Sequence, residues 1–553
     1  MKSEIKFPKR IILLAFLLFS IGVLPLAGIV GLRTVAGMVL RSVPSQAGLK
    51  TVSWISRVGI SLTRLYPLWL SKNEADFFSS AENKYLTSLL MNGLRNQVEA
   101  TAAQGLSGSG DTQALFSALE NQANNLLKQL EASERDRSLI AFGRELLPLA
   151  KWSMGFDRKK TFLIILQNSM EQRPTGGLIE GIGVAVFEKG KLLDISWSSP
   201  NDVEASLTGS EDAPFPIKSM LAQSKLLFRD ANWAVDGPGS AARIKKMYER
   251  AMGRGVDGVV FFSTAGLDDV LVAIGKDPVK EKMAFSGPEY ISQVASGLSG
   301  SLKTFPFLTI KGLLNGLQNE NILIIPFEAD QAGLASLMGI DGGVKTSPCP
   351  VQFRSSQCSA NFIYVADANL GANRADYFIK KNRRVSLVLD PLSPPSTVLD
   401  LAYLNTATVD NSASSYRGYT RAIIPLSSVV RSVVLIENGQ TVQIPTDNYV
   451  ELGRHVVGFS LEVKPGESKM IRITYVSTEK IPIDRGVGGY VLNLKKQSGD
   501  SVSTEVEFKF PDEITPLAVY PEAKIGASGL NFKLPMGKSS SVAVEFAVNS
   551  LFR

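Results

Sequence analysis

The sequence predicts an α/β domain with a mixed sheet, preceded by an N-terminal membrane helix and a helical region and followed by β-sandwich-like modules. Three patterns support this. An uncharged apolar run lies near the N-terminus, strands alternate with helices from about residue 157, and short strands with turn signals fill the chain beyond residue 341. At 553 residues, with 44% hydrophobic and 20% charged residues, the chain is long enough for several globular domains. We expect them at 1–33, 34–156, 157–340, 341–480 and 481–553.

The apolar run Ile11 to Leu32 has 22 residues and no charge. At about 1.5 Å per residue, such a helix crosses a hydrocarbon layer of about 30 Å. A cleaved signal peptide is the alternative, but its apolar region usually spans about 7 to 15 residues and ends in a small-x-small site. Here Ser20-Ile21-Gly22 lies inside the run, so we expect an uncleaved single-pass anchor in the cell membrane. Basic residues before the run slightly outnumber those just after it, which favours a cytoplasmic N-terminus and an extracytoplasmic bulk.

The net charge of +7 excludes few partners by itself. No dense basic run with interleaved aromatic residues occurs, so nucleic acid is not an expected partner. A mildly basic ectodomain suits anionic cell-wall polymers or lipid headgroups. The two cysteines, Cys349 and Cys358, are compatible with one disulfide in an oxidising compartment, and two free thiols are the alternative.

After the anchor, the stretch Trp54 to Leu149 has apolar residues at helical spacing. The glycine-rich segment Gly105 to Gly110 separates two of its stripes. A helical hairpin or stalk fits this pattern. A partner-binding coiled coil is the alternative, although the repeats are too few to sustain a seam.

The α/β domain is predicted from strands that alternate with helices between residues 157 and 340. Strands are expected at Thr161–Leu166, Gly183–Phe187, Leu192–Trp197, Val256–Phe262 and Ile322–Phe327, with helices at Ile217–Leu227, Ser240–Met252, Ala265–Ile274, Glu289–Leu317 and Gln331–Leu337.

The region after residue 341 predicts β-sandwich modules. The pair Asn438-Gly439 is a strong hairpin signal because it tolerates the positive φ that the turn requires. A second turn is expected at Lys464-Pro465-Gly466-Glu467. Short strands at this spacing are typical of one or two β-sandwiches, which commonly act as spacers or binding platforms.

The segment Gln167 to Gly177 follows the first predicted strand of the α/β domain and carries the main candidate site. Arg173 offers a planar fork of donors for phosphate or carboxylate, Thr175 offers a hydroxyl, and Gly176 and Gly177 let backbone N–H groups approach a ligand. Strand ends in open α/β sheets are common ligand sites. The alternative is a tight turn whose arginine is a solvated surface charge.

Further polar residues extend this candidate. Arg229 and Asn232 could add donors for an anion, and Asp202 or Asp230 could hold Mg²⁺ with waters. A structural Arg-Asp network that fixes a loop is the alternative. Asn369, Asn373, Arg374 and Asp376 could form a second polar site near the domain junction.

Several ordered motifs resemble one family, the domain-of-unknown-function family 4012. They are Phe162 to Gly177 with Arg-Pro-Thr-Gly-Gly, Arg-Asp-Ala-Asn-Trp at Arg229 to Trp233, Val-Asp-Gly at Val256 to Gly258, Asp-Ala-Asn-Leu-Gly-Ala-Asn-Arg-Ala-Asp-Tyr at Asp367 to Tyr377, and Tyr416 to Tyr419. The resemblance extends over about Pro148 to Lys496.

The α/β part also looks like the LytR-CpsA-Psr envelope phosphotransferases, which move glycopolymers from polyprenyl pyrophosphate onto cell-wall acceptors. Arg173-Pro174-Thr175 stands where that family has Arg-x-Asp-Thr, without the aspartate. Pro200-Asn201-Asp202 stands where it has Pro-Arg-Asp, without the arginine. Two hypotheses follow from the resemblance: an envelope protein that binds or scaffolds polymers or partners without turnover, and a divergent phosphotransferase for polyprenyl-pyrophosphate-linked substrates.

Overall fold

The computed structural model divides into two compact units, Met1–Trp152 and Ser153–Arg553. It describes residues 45–65, 88–97, 99–100, 111–129, 134–209, 211–278, 304–347, 349–350, 353–354, 358–408, 415–437, 439–526, 529–535 and 537–548, together with isolated positions between 36 and 85 and between 294 and 301.

The first unit is helical where it is described. Its helices are α1 Gln46–Leu65, α2 Thr112–Gln129 and α3 Glu134–Ser153, the last of which ends at the boundary between the units. Val52, Ala81 and Tyr85 form a small apolar core. Among the helices that the structure describes, none combines the length and the apolar character needed to cross a bilayer. The predicted span Ile11 to Leu32 lies outside the described residues.

The second unit begins with a mixed sheet, as predicted. Its strands are β1 Lys160–Asn168, β2 Leu178–Glu188, β3 Lys191–Ser198, β4 Gly258–Ser263 and β5 Ile322–Pro326, in the order β3-β2-β1-β4-β5. β1 and β4 are parallel, and the other neighbours are antiparallel. All nine residues of β1 are buried or half-buried because β1 lies at the centre of the sheet.

Helices surround this sheet and supply its core. They are α4 Pro200–Ser206, α5 Phe215–Leu221, α6 Gly237–Met252, α7 Thr264–Ala273, α8 Pro306–Gln318 and α9 Ala329–Leu337, with a 3-10 helix at Phe228–Trp233. Ile244 and Met247 of α6 pack with Leu163 and Phe261 of the strands. Asp236 caps α6, since its side chain accepts a hydrogen bond from Gly239 N.

Two helix predictions for this region need correction. The helix predicted to run to Leu227 ends at Leu221, because Ala222 adopts a left-handed conformation with φ 53° that breaks the helical path. Of the helix pair predicted at Glu289–Leu317, the structure describes α8, and residues 279–293 lie outside the described part.

The rest of the unit is rich in strands. They are β6 Ser359–Asn369, β7 Ile379–Val388, β8 Ser396–Asn405, β9 Tyr416–Ile424, β10 Ser428–Glu437, β11 Gln440–Gln443, β12 Asp447–Glu451, β13 Arg454–Val463, β14 Ser468–Ser477, β15 Ile483–Asp484, β16 Val487–Lys495, β17 Ser503–Lys509, β18 Ile514–Tyr520, β19 Lys524–Gly526, β20 Gly529–Leu534 and β21 Ser540–Val548. The expected hairpin is present, since Glu437 of β10 pairs with Gln440 of β11.

These strands form two sheets that share one apolar core. One sheet has the order β11-β10-β14-β8-β7-β17-β20-β19, and the other has the order β12-β13-β9-β6-β16-β21-β18. The core combines side chains of both, including Val385 and Ile471 from the first sheet and Phe459 and Val542 from the second. The residues predicted as a separate C-terminal segment, 481–553, do not form a layer of their own. Their strands β16 and β17 pair in parallel with β6 and β7.

Candidate functional site

The Arg-Pro-Thr-Gly-Gly loop connects β1 to β2 at the centre of the α/β sheet. Gly176 and Gly177 have φ values of 137° and 146°, which residues other than glycine rarely adopt. A Cβ atom on Gly177 would collide with the backbone carbonyl of Asn168. The two glycines therefore let the chain turn tightly enough for β2 to pair with β1.

Arg173 lies in the interior of the unit, with 1% of its surface exposed. Its Nε donates to Asp230 Oδ1 at 2.9 Å, and its Nη2 donates to Glu171 Oε1 at 3.2 Å. Its Nη1 donates to the carbonyls of Gln172 and Asn369. Four of the five N–H groups of a guanidinium are thus used within the protein. Arg173 is not a solvated surface charge, so the simple-turn alternative is wrong on this point.

Two carboxylates share the positive charge of Arg173. Asp230 is 1% exposed, and the side chain of Glu171 is 13% exposed. Burial raises the pKa of Glu171 above its usual range, although the nearby Arg173 acts in the opposite direction. Because the guanidinium already faces two acidic groups, the arrangement balances charge internally and does not leave Arg173 available to an external anion.

The side chains of Thr175 and Asn232 also form hydrogen bonds that hold the loop. Gln167 Nε2 donates to Thr175 Oγ1 at 2.7 Å, and Asn232 Nδ2 donates to the carbonyl of Gly177 at 2.8 Å. All three side chains are buried. The structure therefore brings Arg173, Thr175, Asp230 and Asn232 together around one loop, and their hydrogen bonds hold it in place.

Arg229 and Asp202 have other partners. Arg229 donates to Glu204 and, through Nη2, to Asn201 Oδ1 at 2.5 Å, with 40% of its side chain exposed. Asp202 closes a capping box at the start of α4, where its carboxylate accepts from Ser199 N at 2.8 Å.

The candidate Mg²⁺ ligands do not converge. Asp230 is paired with Arg173 and Asp202 with a helix cap. Within the described ranges, no group of three or more His, Cys, Asp or Glu side chains is placed to hold a metal ion. Asp202 and Asp230 therefore do not fit a shared Mg²⁺ site.

The outer side of the loop packs against the strand-rich part of the same unit. Gln172 donates through its backbone N to Asp376 Oδ2 at 3.0 Å and through Nε2 to the carbonyl of Ser498 at 2.7 Å. Asn369 N donates to the Gln172 carbonyl, and Gln497 Nε2 donates to the Arg173 carbonyl. Asn369 and Asp376 thus lie at the junction, as predicted from the sequence.

A buried charge cluster at this junction was not predicted from the sequence. Lys381 Nζ lies 2.9 Å from Asp367, 3.0 Å from Asp500 and 3.8 Å from Asp376. Burial lowers the pKa of Lys381, but Asp367 and Asp500 outweigh this and hold it well above its usual value. Burial raises the pKa of Asp376 to about 6. In the sequence, only Asp376 pointed to a polar site at this position. Lys381 lies in a strand with several other basic residues, so nothing in the sequence distinguishes it from them.

A small cleft beside the loop has room for about one water molecule. Its lining includes Thr175, Lys495, Lys496 and Ser498. This space is far smaller than the range of about 300–1,000 Å³ that is usual for small-molecule pockets. The cleft is lined by residues of both parts of the unit, so it is a feature of their junction.

The two cysteines form a disulfide between Cys349 and Cys358, as one of the two sequence-based alternatives expected. Cys358 lies just before β6 and packs near Phe353 in a small apolar cluster.

One family model matches part of the chain. Residues 157–286 match the family described as Protein of unknown function (DUF4012). This confirms the family resemblance over residues 157–286, which include the Arg-Pro-Thr-Gly-Gly loop, whereas the motifs at Asp367 to Tyr377 and at Tyr416 to Tyr419 lie outside the match. None of the curated proteins compared with this chain matches it significantly.

Solved structures show weak similarities. A candidate nutrient binding protein from Legionella pneumophila is 9% identical with a TM-score of 0.22, over 35% of this chain and 73% of that chain. An M1 zinc metallopeptidase from Deinococcus radiodurans is 14% identical with a TM-score of 0.19, over 31% of this chain and 42% of the other. Native yeast LTA4 hydrolase is 10% identical with a TM-score of 0.19, and the similarity covers 31% of this chain and 29% of the hydrolase. TM-scores this low do not establish a shared overall fold.

Proposed function

We propose that this chain is a membrane-anchored, extracytoplasmic protein of the cell envelope that binds or scaffolds envelope polymers or protein partners without turnover. The absence of turnover is proposed because Arg173 forms buried ion pairs with Asp230 and Glu171. The group best suited to bind a phosphate is neutralised inside the protein. A loop built in this way serves as a joint between the α/β sheet and the strand-rich part.

The proposed location has two supports. The run Ile11 to Leu32 has the length and the lack of charge of a membrane anchor. The disulfide Cys349–Cys358 is the kind of bond that persists in oxidising compartments outside the cytoplasm. Together they favour a protein whose bulk lies beyond the membrane.

An exposed apolar edge offers a surface for a partner. β12 is the edge strand of its sheet, and Val450 and Leu452 are 62% and 51% exposed. Val450 pairs with His455, whose Nδ1 lies 3.1 Å from the carbonyl of Ser428. Leu426 and Val429, which flank Ser428, are also exposed. Apolar side chains beside an open strand edge are typical of protein interaction sites.

A binding experiment tests this surface. Full-length protein in detergent is mixed with isolated cell-envelope fractions and sedimented. We expect the wild-type chain to co-sediment and the double variant Val450→Glu, Leu452→Glu to lose most of that binding. The matched control is Val272→Glu, because Val272 is 65% exposed on α7, in the α/β part. Equal binding by all three proteins would exclude the edge as the partner surface.

A topology experiment tests the location. Cells that express the full chain with a C-terminal epitope are converted to protoplasts and treated with protease. We expect the epitope to be digested without lysis and the undigested protein to retain residues 11–32 by mass spectrometry. Protection of the epitope until lysis would contradict an extracytoplasmic location.

The second candidate function is a divergent glycopolymer phosphotransferase of the LytR-CpsA-Psr type. Its support is that two basic residues, Lys495 and Lys496, line the small cleft beside Thr175, and a substrate would have to compete with their partners Glu320 and Asn321. The test is incubation of the full-length chain with a polyprenyl-pyrophosphate-linked glycopolymer, Mg²⁺ and a cell-wall acceptor. The scaffolding proposal expects no release of polyprenyl phosphate. Release that is lost in a folded Thr175→Val variant would establish the phosphotransferase instead.

A further inference from the structure

Lys496 is a buried lysine directly after β16, in the strand-rich part of the second unit. Only 4% of its surface is exposed. Its Nζ lies 2.7 Å from Oδ1 of Asn321, which directly precedes β5 of the α/β sheet. The two residues are 175 positions apart in the sequence. An amine is therefore held against a carboxamide across the junction of the two parts.

Asn321 is fixed in position by its backbone. Its N donates to the carbonyl of Gly316 at 2.8 Å, and its carbonyl accepts from Ser263 Oγ at 2.8 Å. Its side-chain nitrogen Nδ2 donates to Asp269 Oδ2 at 2.9 Å. The lysine requires an acceptor and the carboxylate requires a donor, so both neighbours specify the same amide orientation.

The surroundings of the carboxamide suit acyl transfer. Gly499 N donates to Asn321 Oδ1 at 3.4 Å, so a backbone N–H faces the oxygen on which negative charge would develop during attack. Asp269 contacts the nitrogen that would leave. Asn319 Nδ2 holds the other oxygen of Asp269 at 2.8 Å and so fixes the carboxyl group. An electrophile, an oxyanion donor and a proton-transfer group are thus assembled around one side chain.

The protonation states support the same chemistry. Burial lowers the pKa of Lys496 to about 8, against the opposing effect of Glu320 and other acidic groups. A lysine must be neutral to act as a nucleophile, and a lowered pKa increases that fraction. Burial raises the pKa of Asp269, and a carboxylate of raised basicity is better able to take up a proton beside the leaving nitrogen. The adjacent Lys495 is instead paired with Glu320 at 2.5 Å.

We propose that Lys496 and Asn321 form an intramolecular isopeptide bond. The neutral Nζ attacks Cγ of Asn321 to form an Nζ–Cγ bond, and the Cγ–Nδ2 bond breaks. One amine proton is transferred by way of Asp269 to the departing nitrogen, which leaves as ammonia. Atoms and electrons balance without an oxidant or another reactant. The product is an amide that covalently joins the residue before β5 to the strand-rich part.

The bond is independent of the proposed function, and its detection requires no ligand. The intact mass of folded full-length protein is measured first, followed by denaturation, digestion with trypsin and fragment-ion sequencing. We expect a mass lower by one ammonia and a branched peptide that joins the segment containing Asn321 to the segment containing Lys496. Succinimides at Asn-Gly pairs also lose ammonia, so the branched peptide is the deciding observation.

Matched variants complete the test. Lys496→Arg and Asn321→Ala are expected to abolish the branched peptide, Asp269→Asn to slow or prevent its formation, and Lys495→Arg to leave it unchanged. A wild-type protein that has its full sequence mass and yields a linear peptide cleaved after Lys496 would overturn the proposal. The mass and the peptides of the wild-type protein decide the question, so the test remains valid even if a variant does not fold.

Discussion

Arg173 Nε and Asp230 Oδ1 lie 2.9 Å apart, although the two residues are separated by 57 positions in the chain, and each side chain is only 1% exposed. The pair connects the β1–β2 loop to the 3-10 helix at Phe228–Trp233. A buried ion pair adds little net stability, but removal of one partner is costly because the other charge stays buried. The pair therefore fixes the loop, and it provides a sharp test of the fold.

Replacement of Arg173 by methionine should destabilise the second unit by about 3–5 kcal/mol, because Asp230 and Glu171 lose their counter-charge in the interior. Thermal unfolding of the full-length protein measures the change. Arg229→Met is the control, since its exposed pair with Glu204 contributes about 0–1 kcal/mol. Equal effects of the two substitutions would contradict the structural role of Arg173. The double variant Arg173→Met, Asp230→Leu should recover part of the loss.

Gly177→Ala should destabilise the protein by about 2–4 kcal/mol, since the substitution adds a backbone clash at Asn168 to an unfavourable φ of 146°. Gly333 in α9 is the matched glycine, because a Cβ there meets open space. Gly333→Ala should instead stabilise by about 0.5–1 kcal/mol. Denaturant titrations of both variants give the comparison, and a neutral Gly177→Ala would show that the loop has another conformation.

Asp376→Asn should increase stability at neutral pH. The folded-state pKa of Asp376 is about 6, above its usual 3.8. The native state binds this proton more tightly than the unfolded state, so the proton increases the free energy of unfolding at low pH. This contribution is lost as the pH rises through 6. Asparagine does not titrate, so the advantage of the variant over the wild type should grow between pH 4 and pH 7.5, by roughly 3 kcal/mol at most.

The neighbouring Asp367 provides the opposite case. Burial would raise its pKa, but Lys381 and Arg383 hold the pKa below its usual value. The stability that it contributes is present above the unfolded pKa and is lost as the pH falls. Asp367→Asn should therefore be most destabilising at neutral pH. Unfolding midpoints measured over the same pH series would refute this assignment if both variants shifted in the same direction.

Reduction of Cys349–Cys358 should lower stability by about 2–3 kcal/mol, because the bond closes a loop with a sequence separation of 9. Unfolding of the Cys349→Ser, Cys358→Ser variant should match that of the reduced wild type. An unchanged midpoint after complete reduction would show that the bond does not constrain the unfolded chain.

The sequence predicted the α/β elements well because they depend on local patterns. The predicted strand Thr161–Leu166 lies within the buried strand β1, and the predicted helix Ser240–Met252 lies within α6. The loop of Arg173 was also found, because glycines and arginine mark an unusual turn. Its partners Asp230 and Asn369 were not paired with it in advance, since contacts between distant positions leave no local period.

The junction cluster shows the same limit. Lys381 is one of several basic residues near the start of β7, and only the pairing of β7 with the neighbouring strands turns its side chain toward Asp367. Burial, which sets the role of this lysine, is a property of the assembled sheets. The same is true of Lys496, whose neighbour Lys495 has the same chemistry and a different partner.

The pairing of β16 with β6 and of β17 with β7 also orders events during biosynthesis. Each of these late strands occupies an interior place in its sheet, between strands that are made at different times. The first sheet therefore cannot be completed before β17, β19 and β20 are synthesised, nor the second before β16, β18 and β21. Until then, β6 and β7 each keep one unpaired edge. A chain that crosses a membrane during synthesis would complete this step only on the far side.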